Sequence, residues 1–208
     1  MSQTLPGGLY LILDRTFTGE RDLLTIAAAA LEAGVQWIQY REKQLSRRDA
    51  FRMAVALQAL TRRAGALFIV NDEVDLAMAA GADGVHLGQD DFPVTEARRL
   101  LGKTRLIGLS THTKEEAVQA GVSGADYIGF GPVFESSSKG VRPPVGLGVL
   151  REVTAAVSAP VFAIGGIQPD HVSEVMKTGA RGVAVIQGVL GQQDVAGAVK
   201  DYLKRMDR

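Results

Sequence analysis

The chain has 208 residues, 46% of them apolar, no net formal charge at pH 7 and no cysteine. One sizeable core fits that length, and the balanced charge lacks the basic surplus that marks a nucleic-acid or membrane partner. Without cysteine there is no disulfide, thiolate zinc site or cysteine nucleophile, so any metal must sit on oxygen or imidazole ligands.

Met1 to Gly8 has neither the basic nor the apolar region of a signal peptide, and the Ala27–Ala30 run is broken by Glu32 and too short to span a bilayer. A soluble, cytoplasmic protein is expected. The first β-rich run is Leu9 to Leu13, followed by a helical stretch over Asp22–Ala33 that Gly34 closes. Val35 to Tyr40 is the second run, and its helix covers Ser46–Ala64, with Ser46 as N-cap and Asp49 in the first turn. Leu67–Val70 leads to a short helix over Val74–Ala80, Gly84–Leu87 to one over Val94–Leu101, and Leu106–Leu109 to one over Lys114–Ala120. Tyr127–Phe130 is followed by a longer loop, Gly131 to Val145, and a helix over Leu147–Val157. Val161–Ile164 precedes a helix over Pro169–Thr178, and Val183–Ile186 one over Val195–Lys204.

Short continuous apolar runs are what buried parallel strands require. Eight regular β/α units predict an α/β fold, a closed (β/α)₈ TIM barrel. No linker or low-complexity tract divides the chain, so 1–208 is expected to be a single domain. The recurring Gly-Ala-Asp and Gly-Ala-Arg phrases before strands mark helix stops and tight turns at the structural end of the barrel. An active site is then expected at the opposite, carboxyl-terminal ends of the strands.

The residues at those ends form a coherent set. After strand two, Gln39, Arg41 and Lys43 alternate onto one face and suit a multiply charged anion; a solvated cluster paired through Glu42 is the plainer alternative. Asn71-Asp72 suits a hard cation such as Mg²⁺, or caps the next helix. After strand four either Asp90 or Asp91 can supply a second carboxylate, or a cap ahead of Pro93. Ser110 offers a donor to phosphate. His112 offers an acid or base, or only a local loop hydrogen bond. His86 reads as a core residue and His171 as a surface one. The Ser136-Ser137-Ser138-Lys139 stretch can grip an anion as a lid, or be a plain connection. Gly165-Gly166 and Ile186-Gln187-Gly188 lie where barrels of this kind bind phosphate.

Taken together, Gln39-Tyr40-Arg41-Glu42-Lys43, Asn71-Asp72, His86-Leu87-Gly88-Gln89-Asp90-Asp91, Gly108-Leu109-Ser110-Thr111-His112, Gly129-Phe130-Gly131-Pro132-Val133-Phe134 and Ala163-Ile164-Gly165-Gly166-Ile167 resemble the thiamine phosphate synthase family, in order over nearly the whole chain. The resemblance implies a transferase that joins 4-amino-2-methyl-5-hydroxymethylpyrimidine diphosphate to a thiazole phosphate with loss of pyrophosphate. It implies that Gln39 orients the pyrimidine and that Tyr40 and Glu42 beside it belong to the substrate-binding segment. It also implies that Arg41, Lys43, Asn71, Ser110 and Lys139 hold the diphosphate and that Asp72 and Asp91 bind Mg²⁺. Ser136, Ser137, Ser138, Gly166, Ile186 and Gln187 would surround the thiazole phosphate. Arg41, Lys43, Ser110 and Lys139 would act where charge develops on the leaving group.

The chain departs from the family pattern in having Gln187 where serine is usual and serines where the strand-six loop usually has threonines. The related thiazole tautomerase, an isomerase that would use His112, is the main rival. The Gln39, Arg41, Lys43, Asp72 and Asp91 set argues for the synthase, because a tautomerase needs neither metal nor diphosphate. A regulatory barrel that binds a phosphate ligand and catalyses nothing is a third reading; it predicts an eroded metal site. Small barrels often pair as homodimers, and no patch in the sequence decides the matter.

Overall fold

The structure is a computed structural model and describes residues 5–135 and 143–206. Eight parallel strands close on themselves in sequence order: β1 Gly8–Asp14, β2 Trp37–Arg41, β3 Leu67–Asn71, β4 Gly84–Leu87, β5 Leu106–Thr111, β6 Tyr127–Phe130, β7 Val161–Ile164 and β8 Gly182–Val185. The seam is β1 against β8, with Leu9 opposite Val183 and Leu11 opposite Val185. Outside run helices α1 Leu23–Glu32, α2 Arg47–Ala64, α3 Val74–Ala79, α4 Val94–Leu101, α5 Lys114–Ser123, α6 Gly146–Ala156, α7 Val172–Met176, α8 Gln187–Leu190 and α9 Val195–Met206. The expected (β/α)₈ barrel is the fold observed.

Both strand faces are buried, and alternation divides them. Tyr10, Ile12, Trp37, Ile69, Tyr127, Phe162 and Ala184 fill the barrel interior. Leu9, Leu11, Leu13, Ile38, Tyr40, Phe68 and Val70 point outward into the layer shared with the helices. This is why the strands read as unbroken apolar runs. The interior aromatic rings interlock, with Trp37 centred 5.1 Å from Phe162 and 5.2 Å from Tyr127. The Trp37 Nε1–H donates to the Pro6 carbonyl at 3.1 Å and helps close the amino-terminal end.

The Gly-Ala-Asp phrases have a specific task. Asp83 accepts the Phe68 amide at 2.8 Å and Asp126 accepts the Ile107 amide at 2.7 Å, so each aspartate ties the start of its strand to the strand before. A wide concavity, about 1330 Å³, lies at this end, where these carboxylates are already committed to backbone amides.

The expected boundaries hold with instructive exceptions. Strand one runs on to Asp14, because Asp14 sits opposite Arg41 in the register and pairs with it. The expected helix over Pro169–Thr178 is a 3₁₀ turn, Pro169–His171, followed by α7. The turn is fixed where the Gln168 amide donates to Nδ1 of His171 at 3.2 Å. A 3₁₀ turn over Arg15–Phe17 and the four-residue α8 were not anticipated, being too short to impose a periodic pattern. Ser46 caps α2 as expected, accepting the Asp49 amide at 3.2 Å.

Candidate active site

Two chambers open at the carboxyl-terminal ends of the strands. The central one, about 180 Å³, is lined by Tyr10, Gln39, Arg41, Asn71, His86 and Ser110 among others. The second, about 290 Å³, lies beside it, against Phe17, Glu135, Gly166, Ile167 and Gln187. Ile164, Ala184 and Ile186 line both.

Gln39, Arg41, Asn71 and Ser110 thus converge as the alternation and strand ends require. Arg41 is held by Asp14, whose carboxylate also accepts from the Thr16 amide at 2.9 Å. Tyr40 and Glu42 face elsewhere. Tyr40 is buried in the outer core, and desolvation, with the charge of Glu42, pushes its phenol up. Glu42 accepts from the Gln44 and Leu45 amides at 2.7 and 3.1 Å and pairs with Arg15 at 3.3 Å, so it shapes the loop after β2. Although its partial burial works the other way, those hydrogen bonds and Arg15 hold its carboxyl below the usual range.

Asp72 stands at φ +61°, the only non-glycine residue with positive φ among the described residues. A left-handed aspartate costs backbone energy, of order 1 kcal/mol or more, and such positions cluster at functional sites. It does not cap α3: the N-cap there is Glu73, with no side-chain bond. Asp72 instead pairs with Lys43 at 2.7 Å and is hydrogen-bonded to Asp91. Asp91 also accepts the Gly88 amide at 2.7 Å, and it caps nothing in α4, whose N-cap is Pro93. Partial desolvation, then the hydrogen bond and negative charge of Asp72, push the Asp91 carboxyl up. Asp90 and Asp91 are both exposed, and Asp91 is the one whose carboxyl meets Asp72. No group of three or more His, Cys, Asp or Glu residues able to hold a metal occurs among the described residues.

Gly166 and Ile186 line the second chamber together, and Gln187 opens α8 beside them. Gly165 and Gly166 have φ of +95° and +63°, and any side chain on them would collide with Pro132 and Glu135. The turn after β7 therefore lies flush on the loop after β6, where the Phe134 amide donates to the Gly165 carbonyl at 3.0 Å. His171 is half-buried rather than on the surface, its ring stacked 4.0 Å from Phe134. His112 lines neither chamber. Its Nδ1–H donates to the Gly131 carbonyl at 2.6 Å, the local loop bond that was the plainer expectation. Ser136, Ser137, Ser138 and Lys139 lie outside the described residues.

Sequence reasoning missed the chamber floor. His86 is a satisfied core residue, as expected, but it also lines the central chamber, between Tyr127 Oη at 3.1 Å and Ser110 Oγ at 2.9 Å. Tyr10 lies on the same floor and Tyr127 directly beneath. Burial pushes the His86 imidazole down to about 4, so it is neutral near pH 7. The available signal was glycine inside strands. A side chain at Gly108 would strike the Tyr127 ring and His86 Nδ1, and one at Gly129 would come within 3.1 Å of the His86 ring.

Fold and candidate site together define a (β/α)₈ barrel with polar side chains converging at its carboxyl-terminal mouth. The chain belongs to the thiamine monophosphate synthase family, whose model matches residues 9–189. It is 46% identical over 193 residues to the thiamine-phosphate synthase of Moorella thermoacetica, covering 92% of each chain. It is 41% identical over 204 residues to that of Caldicellulosiruptor saccharolyticus, covering 96% of this chain and 92% of the relative. Among solved structures, thiamine phosphate pyrophosphorylase from Pyrococcus furiosus superposes with a TM-score of 0.88 at 40% identity, over 96% of this chain and 95% of that one. A 3-hexulose-6-phosphate synthase structure, at 17% identity and a TM-score of 0.72, shares the fold alone.

Proposed function

We propose that this chain is a transferase that makes thiamine phosphate from an aminopyrimidine methyl diphosphate and a thiazole phosphate, releasing pyrophosphate. The observation that carries this reading is the pair of adjoining chambers with a common wall, the central one bearing Arg41, Asn71 and Ser110 beside Lys43 and two touching carboxylates.

The pyrimidine diphosphate belongs in the central chamber, with Gln39 against the ring and Arg41, Lys43, Asn71 and Ser110 toward the diphosphate. The methylene–oxygen bond breaks, the bonding pair leaves with the pyrophosphate, and the ring amino group supports the electron-poor carbon left behind. The thiazole nitrogen then donates its lone pair to that carbon. No proton need move and no side-chain nucleophile is required. What the protein supplies is charge stabilisation on the leaving group and alignment of the second substrate, whose phosphate fits the turn after β7 and the start of α8.

Mg²⁺ fits Asp72 and Asp91. They offer hard oxygen ligands, they touch, and among the described residues Lys43 is the cation paired with them. A metal held there supplies a Lewis acid for the leaving pyrophosphate. Two protein carboxylates suffice for an ion that takes its remaining ligands from phosphate and water.

The deciding experiment is a turnover assay with both substrates, with and without Mg²⁺, following thiamine phosphate and pyrophosphate. Mg²⁺-dependent formation of both is expected. Asp72→Ala and Arg41→Ala should each cut turnover about a hundredfold or more with the fold intact. Near-normal turnover in both variants, or isomerisation of a thiazole carboxylate without coupling, would overturn the reading.

A further inference from the structure

A continuous file of hydrogen bonds crosses the floor of the central chamber. Gln39 Nε2 meets Tyr10 Oη at 2.7 Å, Tyr10 Oη meets Tyr127 Oη at 2.9 Å, Tyr127 Oη meets His86 Nδ1 at 3.1 Å, and His86 Nε2 meets Ser110 Oγ at 2.9 Å. The file starts and ends on residues that face the chamber, yet Tyr127 in its middle does not line it. All its interior members are buried.

Burial turns geometry into a constraint on protons. Each link needs one hydrogen, and each phenol, the neutral imidazole and the serine hydroxyl has one to give. Only two complete orders exist. In the first, the Gln39 amide N–H donates to Tyr10, Tyr10 to Tyr127, Tyr127 to His86 Nδ1, and His86 Nε2–H to Ser110. Gln39 then keeps its carbonyl oxygen for the chamber, and the Ser110 O–H is left to donate there. In the second, the amide is turned over and every link reverses. Ser110 donates inward and Gln39 offers the chamber only N–H. A mixture of the two leaves a buried hydroxyl or ring nitrogen without a partner, which is costly.

We propose that Tyr10, Tyr127 and His86 are positioning residues that lock Gln39 and Ser110 into one matched pattern, acceptor at Gln39 with donor at Ser110. The part concerning the ligand rests on the proposed function. An aminopyrimidine presents an N–H to Gln39, and its diphosphate presents only acceptors to Ser110. With its amino group turned toward Gln39, that one substrate is matched at both ends by the first order. The second order offers a donor to the amino group and no proton to the phosphate. The floor therefore reads the two ends of the substrate jointly, and it selects against a ligand that satisfies only one of them.

The test reads the proton directly. The chain has three histidines, so ¹⁵N-histidine labelling, with His86→Gln to assign the signal, reports which His86 nitrogen is protonated. With Mg²⁺ and inorganic pyrophosphate bound, the proton is expected on Nε2. Gln39→Glu at pH 8 replaces the amide with a group that only accepts, forces the second order, and should move the proton to Nδ1. Pyrophosphate affinity should fall about fivefold or more as Ser110 loses its free hydrogen. Tyr127→Phe cuts the file, so adding Gln39→Glu to it should leave the His86 proton where Tyr127→Phe alone has it. Tyr10→Phe makes the same cut one link earlier and serves if Tyr127→Phe does not fold.

An unchanged His86 proton in Gln39→Glu overturns the relay. So does a displacement of equal size in the Tyr127→Phe background, since the effect would then pass through space. Wild-type protein that forms no thiamine phosphate and binds no pyrophosphate sinks the proposed function instead, and leaves the tautomer result to decide the relay by itself.

Discussion

At the scale of single residues, the site rests on groups that hold other groups. Asp14 is the clearest. It is buried at the end of β1, bonded to Arg41 and to Thr16, and it lines neither chamber. Asp14→Asn keeps the shape but removes the charge that fixes the guanidinium. Turnover per bound substrate should fall about tenfold, since a group misplaced by an ångström costs that much or more. Steady-state kinetics should show the loss chiefly in kcat. Asp91 behaves differently because it is a liability without a cation. Its folded-state carboxyl is raised, so its contribution favours the folded form at low pH and is lost as pH rises through the raised value. The negative charge of Asp72 opposes ionisation of Asp91. Asp91→Asn should therefore melt no lower than wild type without Mg²⁺, and should lose the increase in Tm that Mg²⁺ gives the parent. Calorimetry with and without the ion checks both halves.

At the scale of elements, strands and helices were legible because each obeys one periodicity. Alternation alone sent Gln39 and Arg41 into the chamber and Tyr40 out of it. The sequence could not show what is shaped by contact. The floor is an example: Gly108 and Gly129 read as small residues in apolar runs, and only the packed barrel shows that they make room for His86 and Tyr127. Asp72 is another. Its positive φ and its approach to Asp91 follow from the turn after β3, while its sequence context equally allows a cap. The identities at the mouth were readable. The division of labour between Asp90 and Asp91 was not, because adjacent loop residues have no fixed direction. Gly108→Ala puts a methyl group into the Tyr127 ring, and overpacking of that kind costs about 1–3 kcal/mol. At about 2–4 °C per kcal/mol for a chain of this size, the melting temperature should drop by roughly 2–12 °C.

At the scale of the molecule, neutral net charge and a barrel without edges leave pH sensitivity to a few buried groups. His86 is one, lowered by burial from 6.5 to about 4. A base depressed in the folded state stabilises it fully above the ordinary imidazole value, and that stability drains away as pH falls from about 6.5 through about 4. Denaturant unfolding across that window should show declining stability, with a shallower decline in His86→Gln. An equal slope in both proteins would mean that other groups govern the acid limb. No helix among the described residues is long and apolar enough to cross a membrane.

The wall common to the two chambers has a chemical consequence of its own. Ile164, Ala184 and Ile186 carry only carbon side chains. In the proposed reaction the electron-poor methylene fragment would form between the chambers as an alkylating agent, and at that wall it would meet no side-chain sulfur, amine or hydroxyl to scar. The absence of cysteine from the chain extends that inertness to the most reactive side chain of all. The enzyme should accordingly survive many turnovers without a pyrimidine-methyl adduct visible by intact mass. Ala184→Cys, which sets a thiol in the wall, should acquire one and lose activity in step with product formed.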